Sequence, residues 1–225
     1  CTELDGKIFV IPAHFASNKG LGKSTENAIK KYKDFLSFSA IEVRNEEDVR
    51  EYQNKLKQLI TQFGTDRILY MDEAGMTQSD VYAYGWSPRG QCCHAKRTGK
   101  TRHRVSFISA IGQQRQFIAP IVFEGSCTRQ VVEAWLEELM TVLPKDAQDK
   151  VLPHVIVMDN ASYHKNGKLE HIAQKHQCQL LYLPPYSPDL NPIEQCWAVL
   201  KNQVKQALSQ GEELIQAICT TFKYL

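Results

Sequence analysis

No CxxC pair, no apolar run of membrane-spanning length and no basic-then-apolar leader occurs in these 225 residues. The missing cysteine spacing argues against a zinc ribbon, and an odd total of seven scattered cysteines argues against a disulfide framework. "QCCHAKRTGKTRH" does gather Cys92, Cys93, His94 and His103, but adjacent cysteines rarely serve one zinc ion together. A reducing, cytoplasmic setting is the simpler reading of the cysteines. No apolar run approaches the length of a membrane span, and the start "CTELDGKIFVIPAHF" lacks the basic-then-apolar layout of a signal peptide. Beginning at Cys1 instead of Met reads either as a fragment or incomplete frame, or as a trimmed or designed start. Charge of one sign is also scarce. A net charge of +2 is too small by itself to argue for nucleic acid.

What is present is an ordinary globular composition, 43% apolar and 23% charged, enough for one good-sized domain with a core. The basic residues are unevenly placed. Lys96, Arg97, Lys100, Arg102 and Arg104 crowd into nine residues, which fits either a solvated loop or a phosphate-neutralising patch. From Arg44 to Phe63, Val49, Tyr52, Leu56, Leu59, Ile60 and Phe63 recur at helical spacing. Acids lie in the first turn and Gly64 follows the last. "DRILYMDEAG" reads as a short strand ending in acids and a turn. "RVSFISAIG" and "QFIAPIVFEG" read as a strand pair joined by Gly-Gln-Gln-Arg. A helix in "TRQVVEAWLEELMTVL" should turn Val131, Val132, Trp135, Leu139 and Val142 inward. "PHVIVMDNAS" has the unbroken apolar run of a strand buried on both faces. A helix near 167–177, a strand at 179–183 and a helix from Pro192 follow. This order of elements predicts an α/β sheet flanked by helices.

Three carboxylates stand out. Asp72 and Asp159 each close an apolar strand, where ligand sites of open α/β sheets tend to lie. Each could instead simply cap its turn. Glu194 opens a helix after a bend holding Pro184, Pro185, Pro188 and Pro192. With Asn191 as N-cap and Pro192 at the first helical position, Glu194 could merely complete a capping box. Converging carboxylates raise one another's pKa unless a cation lies between them, and hard ions such as Mg²⁺ take such oxygens. Glu73 should face away from Asp72, and Asp189 belongs with the turn. Along the last helix Ile193, Trp197, Leu200, Val204 and Leu208 form a core stripe. Beside it run Glu194, Ala198, Lys201 and Lys205, readable as a metal-binding acid with phosphate-binding lysines or as a plain surface pattern.

"YMDEAGM" (70–76), "YGWSPRGQ" (84–91), "VMDNASYHK" (157–165) and "LPPYSPDLNPIEQCWAVLK" (183–201) together resemble the DDE transposases of the mariner-like and bacterial insertion-sequence group. Thirty-four residues lie between Asp159 and Glu194, the spacing of that group. The resemblance covers roughly residues 44–225. It implies a ribonuclease-H-like mixed sheet flanked by helices (66–225), a connecting helix (44–65) and a short helical N-terminal region (1–43). It implies that Asp72, Asp159 and Glu194 hold two Mg²⁺ or Mn²⁺ ions that cut DNA at element ends and join them to target DNA, at TA dinucleotides. Asn160 and His164 would orient the scissile phosphate or support the metal shell. Trp86, Pro88 and Gly90 would shape a loop, while Arg89 and the bases of 96–104 would grip DNA or a partner subunit. The resemblance also implies paired protomers and a cytoplasmic, nucleoid-associated protein. Before residue 44 the likeness weakens. "IPAHF" and "KSTENAIKKY" resemble the two helices of a helix-turn-helix, but "ASNKGLG" is longer than the usual turn. Two alternatives stay open: a truncated, catalytically idle remnant that binds DNA or the full-length protein, and another ribonuclease-H-like nuclease.

Overall fold

The structure is a computed structural model that describes residues 45–78, 104–160 and 167–225, and the backbone of Thr2–Leu4 and Lys7–Phe9. Those two short segments, β1 and β2, form an antiparallel pair with Thr2 opposite Phe9. This extended pair precedes the segments in which the N-terminal helices were expected. The proposed helices at 11–15 and 23–32 lie outside the described residues.

The main sheet has five strands: β3 (Ile68–Thr77), β4 (Arg104–Ile111), β5 (Phe117–Glu124), β6 (Val155–Met158) and β7 (Gln179–Tyr182). Their spatial order is β5-β4-β3-β6-β7. β5, β4 and β3 run antiparallel, and β6 and β7 join β3 in parallel. β6 lies between two neighbours and is buried at every residue, as its unbroken apolar run foretold. The β4–β5 connection is the expected tight turn, closed by the Arg115 N–H on the Gly112 carbonyl at 3.0 Å. β5 bulges at Ala119, whose φ is 50°, and there the buried Trp135 indole donates to the Ala119 carbonyl at 2.7 Å.

Helices cover both faces. α1 (Glu46–Phe63) starts at Asn45, whose side chain accepts the Glu47 amide at 3.0 Å, and it ends at Gly64 with φ 89°. It packs Tyr52 and Leu59 against Ile68, Val155, Val157 and Leu181. α2 (Arg129–Val142) and α3 (Lys168–Lys175) cover the opposite face over Leu69, Met71, Ile108 and Ile156. The inward stripe of α2 is Val132, Trp135, Leu136, Leu139 and Met140. It is rotated slightly from the expected one, which leaves Val142 52% exposed. The rotation brings Glu133 inside, held by Arg129 at 3.1 Å and by Lys168 at 2.5 Å.

α4 (Ile193–Ser209) and a further helix, α5 (Leu214–Tyr224), share the first face with α1. A single helix was expected here; Gly211, with φ 94°, divides the segment in two. Trp197 of α4 is fully buried. It stacks on Phe117 with centroids 5.0 Å apart and meets Phe107 edge-on at 5.2 Å, with Phe222 of α5 closing the cluster. Among the described residues no helix is long and apolar enough to cross a membrane.

Candidate active site

β3 does not end at its acids. It continues to Thr77 because β4 pairs with it along its whole outer half, Asp72 opposite Ser109 and Thr77 opposite Arg104. Gly75 lies within this continuation, opposite Ser106 of β4. Asp72 therefore projects from within a strand, a correction to the strand end expected from the sequence. The two aspartates still stand level with each other. The parallel pairing of β3 with β6 stops at Tyr70 opposite Val157, so Asp72 and Asp159 each lie two residues beyond the last matched pair. Period-two alternation then puts both on the α4 face, and Glu73 on the other.

The third carboxylate comes from the far side of the bend. The Leu183 N–H donates to the Met158 carbonyl at 2.8 Å and carries the proline stretch alongside Asp159. A one-turn 3₁₀ helix, Pro188–Leu190, turns the chain into α4. Asn191 does not cap α4 with its side chain, as the capping-box reading required. Its Nδ2 donates instead to the Met71 carbonyl at 3.2 Å, while its own carbonyl accepts the Glu194 N–H at 3.2 Å. One residue thus ties the strand bearing Asp72 to the turn bearing Glu194.

Asp72, Asp159, Asn160 and Glu194 line one pocket of about 370 Å³, walled by Leu183, Pro184, Pro185, Tyr186, Ser187, Pro188 and Asn191. The Trp197 indole donates to Asp72 Oδ2 at 3.0 Å. Sequence reasoning placed Trp197 in the core alone. The available signal was that a buried indole N–H needs an acceptor, and α4 brings that N–H to the strand beneath. Burial, then the charges of Glu73, Glu194 and Asp159, push the Asp72 carboxyl well above the usual carboxylate range, against the lowering effect of the indole. Glu194 is exposed; Asp159 and Asn160 are half-buried. Lys201 and Lys205 follow Glu194 along α4, partly exposed, and do not line the pocket. Arg89, Lys96, Arg97, Lys100, Arg102 and His164 lie outside the described residues.

These donors suit a hard divalent cation, because they are carboxylate oxygens whose mutual repulsion a cation would relieve. Among the described residues no three such side chains cluster tightly enough to hold a single ion.

The Asp72 shift has a measurable consequence. Its folded pKa exceeds the unfolded value of about 3.9, so between the two the folded state binds more protons. Stability from this group is greatest below that window and falls as pH rises through it. Asp72→Asn should therefore raise the Tm of the metal-free protein near neutral pH and flatten that limb. A Tm unchanged or lowered in calorimetry would contradict the charge conflict at Asp72.

No curated protein matches the chain by sequence. Among solved structures, it resembles the pre-cleavage Mos1 transpososome at TM-score 0.54 and 14% identity, covering 89% of this chain and 68% of that one. The Mos1 mariner paired-end complex with Mn matches at 0.54 and 14%, covering 88% and 68%. The Mos1 strand transfer complex matches at 0.54 and 15%, covering 94% and 71%. At such identity these likenesses establish the fold, the ribonuclease-H-like mixed sheet between helical layers. Residues 67–215, most of the chain, match the family described as DDE superfamily endonuclease. The chain belongs to the DDE superfamily of endonucleases.

Proposed function

We propose that the chain is a transposase that cuts DNA at element ends and joins those ends to target DNA. The observation carrying this reading is that Asp72, Asp159 and Glu194, drawn from three elements, line one pocket in a DDE-family chain. In the proposal they hold two Mg²⁺ or Mn²⁺ ions, which when bound activate the attacking oxygen and stabilise the leaving one. The rest of the work is the chain's own. Trp197 fixes the Asp72 carboxylate by its hydrogen bond and by its ring packing. Asn160 orients the scissile phosphate from the residue after Asp159, with His164 assisting. The rings of Pro184, Pro185 and Pro188 line the pocket. Lys201 and Lys205 offer charge to phosphates further along the strand, and Arg89, Lys96, Arg97, Lys100 and Arg102 grip the backbone.

In this reading residues 66–225 form the catalytic domain, 44–65 connect it, and 1–43 contribute to reading the element ends. The protein works as paired protomers on TA targets, cytoplasmic and associated with the nucleoid. A Mos1 neighbour solved as a paired-end complex with the left transposon end supports such pairing by analogy of fold.

Incubation with DNA carrying the flanking terminal repeats and Mg²⁺ should yield nicks at the repeat ends and strand-transfer products. Cleavage of RNA–DNA hybrids in preference to such ends would reject the transposase reading. Neutralising Lys96, Arg97, Lys100 and Arg102 together should weaken DNA binding. Its salt dependence should flatten by about 0.9 in log–log slope for each phosphate no longer neutralised. Unchanged binding would remove that loop from the interface.

A further inference from the structure

Asn191 is 4% exposed and lines the pocket together with Asp72, Asp159 and Glu194. Its amide is held one way round, because Nδ2 is committed to the Met71 carbonyl. The other end, Oδ1, is buried without a hydrogen-bond partner among the described residues. It is not used to cap α4, which has no side-chain cap. A buried acceptor left unmet is costly, so an oxygen fixed in this state invites a donor from the pocket. Ionised carboxylates cannot be that donor, since they only accept. A hydrated cation can, because Mg²⁺ gives up water reluctantly and presents its O–H groups to outer acceptors.

We infer that Asn191 Oδ1 accepts a hydrogen bond from a water carried by the divalent cation of this pocket. Asn191 is then a positioning residue with two tasks. Its nitrogen locks the Met71–Asp72 strand to the entrance of α4, and its oxygen fixes the orientation of the hydrated ion. The inference rests on the carboxylate-metal reading of the pocket, and it assigns a role to a residue outside the acidic triad.

The test is Mn²⁺ binding to the full chain without DNA, followed by electron paramagnetic resonance titration of the free ion. Asn191→Ala should weaken Mn²⁺ binding by about tenfold to a hundredfold, the scale of outer-shell partners. Asn191→Asp loses the same donor to Met71 but keeps acceptor oxygens, and should bind at least as tightly as the parent. Comparing low and high salt separates a direct hydrogen bond from the diffuse pull of the added charge, which salt screens. If Asn191→Ala binds Mn²⁺ like the parent, or if Asn191→Asp is as weak as Asn191→Ala, the inference is wrong. In the second case the tie to Met71 alone accounts for the weakening. A parent protein that binds no Mn²⁺ overturns the carboxylate reading as well, so the two failures are distinct. Should circular dichroism show Asn191→Ala unfolded, Asn191→Ser, whose short hydroxyl withdraws the oxygen, replaces it in the same contrast.

Discussion

Asp159→Asn should reduce Mg²⁺-dependent nicking of element-end DNA by at least about a hundredfold. Even outer partners of metal ligands produce effects on that scale, and Asp159 is proposed as a ligand itself. The substitution keeps the side-chain shape and removes the charge. Asp159 is half-buried just beyond β6, so the variant should fold, and far-UV circular dichroism should match the parent. Nicking of a supercoiled plasmid bearing the terminal repeats gives the readout. Full activity in the variant would sink the triad assignment.

The second large effect concerns stability. Trp197 is packed against Phe107, Phe117 and Phe222, joining α4, α5 and the β4–β5 pair in one aromatic cluster. Trp197→Ala should cost about 3–5 kcal/mol in a denaturant titration, from reduced burial and the cavity left behind. Trp197→Phe keeps much of the ring packing and deletes the N–H bonded to Asp72. Its cost should be nearer 1–3 kcal/mol, roughly the value of a hydrogen bond to a charged acceptor and the unmet need it leaves. Equal costs in the two variants would mean that the hydrogen bond, and not the packing, anchors the helix.

The strand order and the apolar stripes were legible because they follow from periodicity, and periodicity reports which face is buried. β6 is the plainest case, since a strand covered on both sides has no polar face to disguise it. β3 was less legible. "DEAG" has the composition of a turn, yet β4 pairs with it as far as Thr77. Pairing with a partner distant in sequence overrides local preference, and no local pattern announces it. Asn191 shows the same limit at a single residue. Its place before Pro192 fits an N-cap, but the Met71 carbonyl, 120 residues away, takes its side chain instead. Motif order and spacing singled out Asp72, Asp159 and Glu194, three acids that line one pocket. What those could not give was the indole behind Asp72 and the amide between Asp72 and Glu194, because both depend on how α4 lies over β3.

The proline wall has a chemical meaning beyond stiffness. Pro184, Pro185 and Pro188 carry no amide hydrogen, so this side of the pocket offers rings and carbonyl oxygens but no backbone donor at those positions. Facing it are carboxylates, which accept as well. An anionic phosphate entering between them would meet acceptors on both sides, and no Lys or Arg stands among the described lining residues. On the proposed transposase reading, a bare phosphodiester would be repelled here and would enter only in the company of cations. Metal dependence would then be set by the backbone of the bend as much as by the acids it presents.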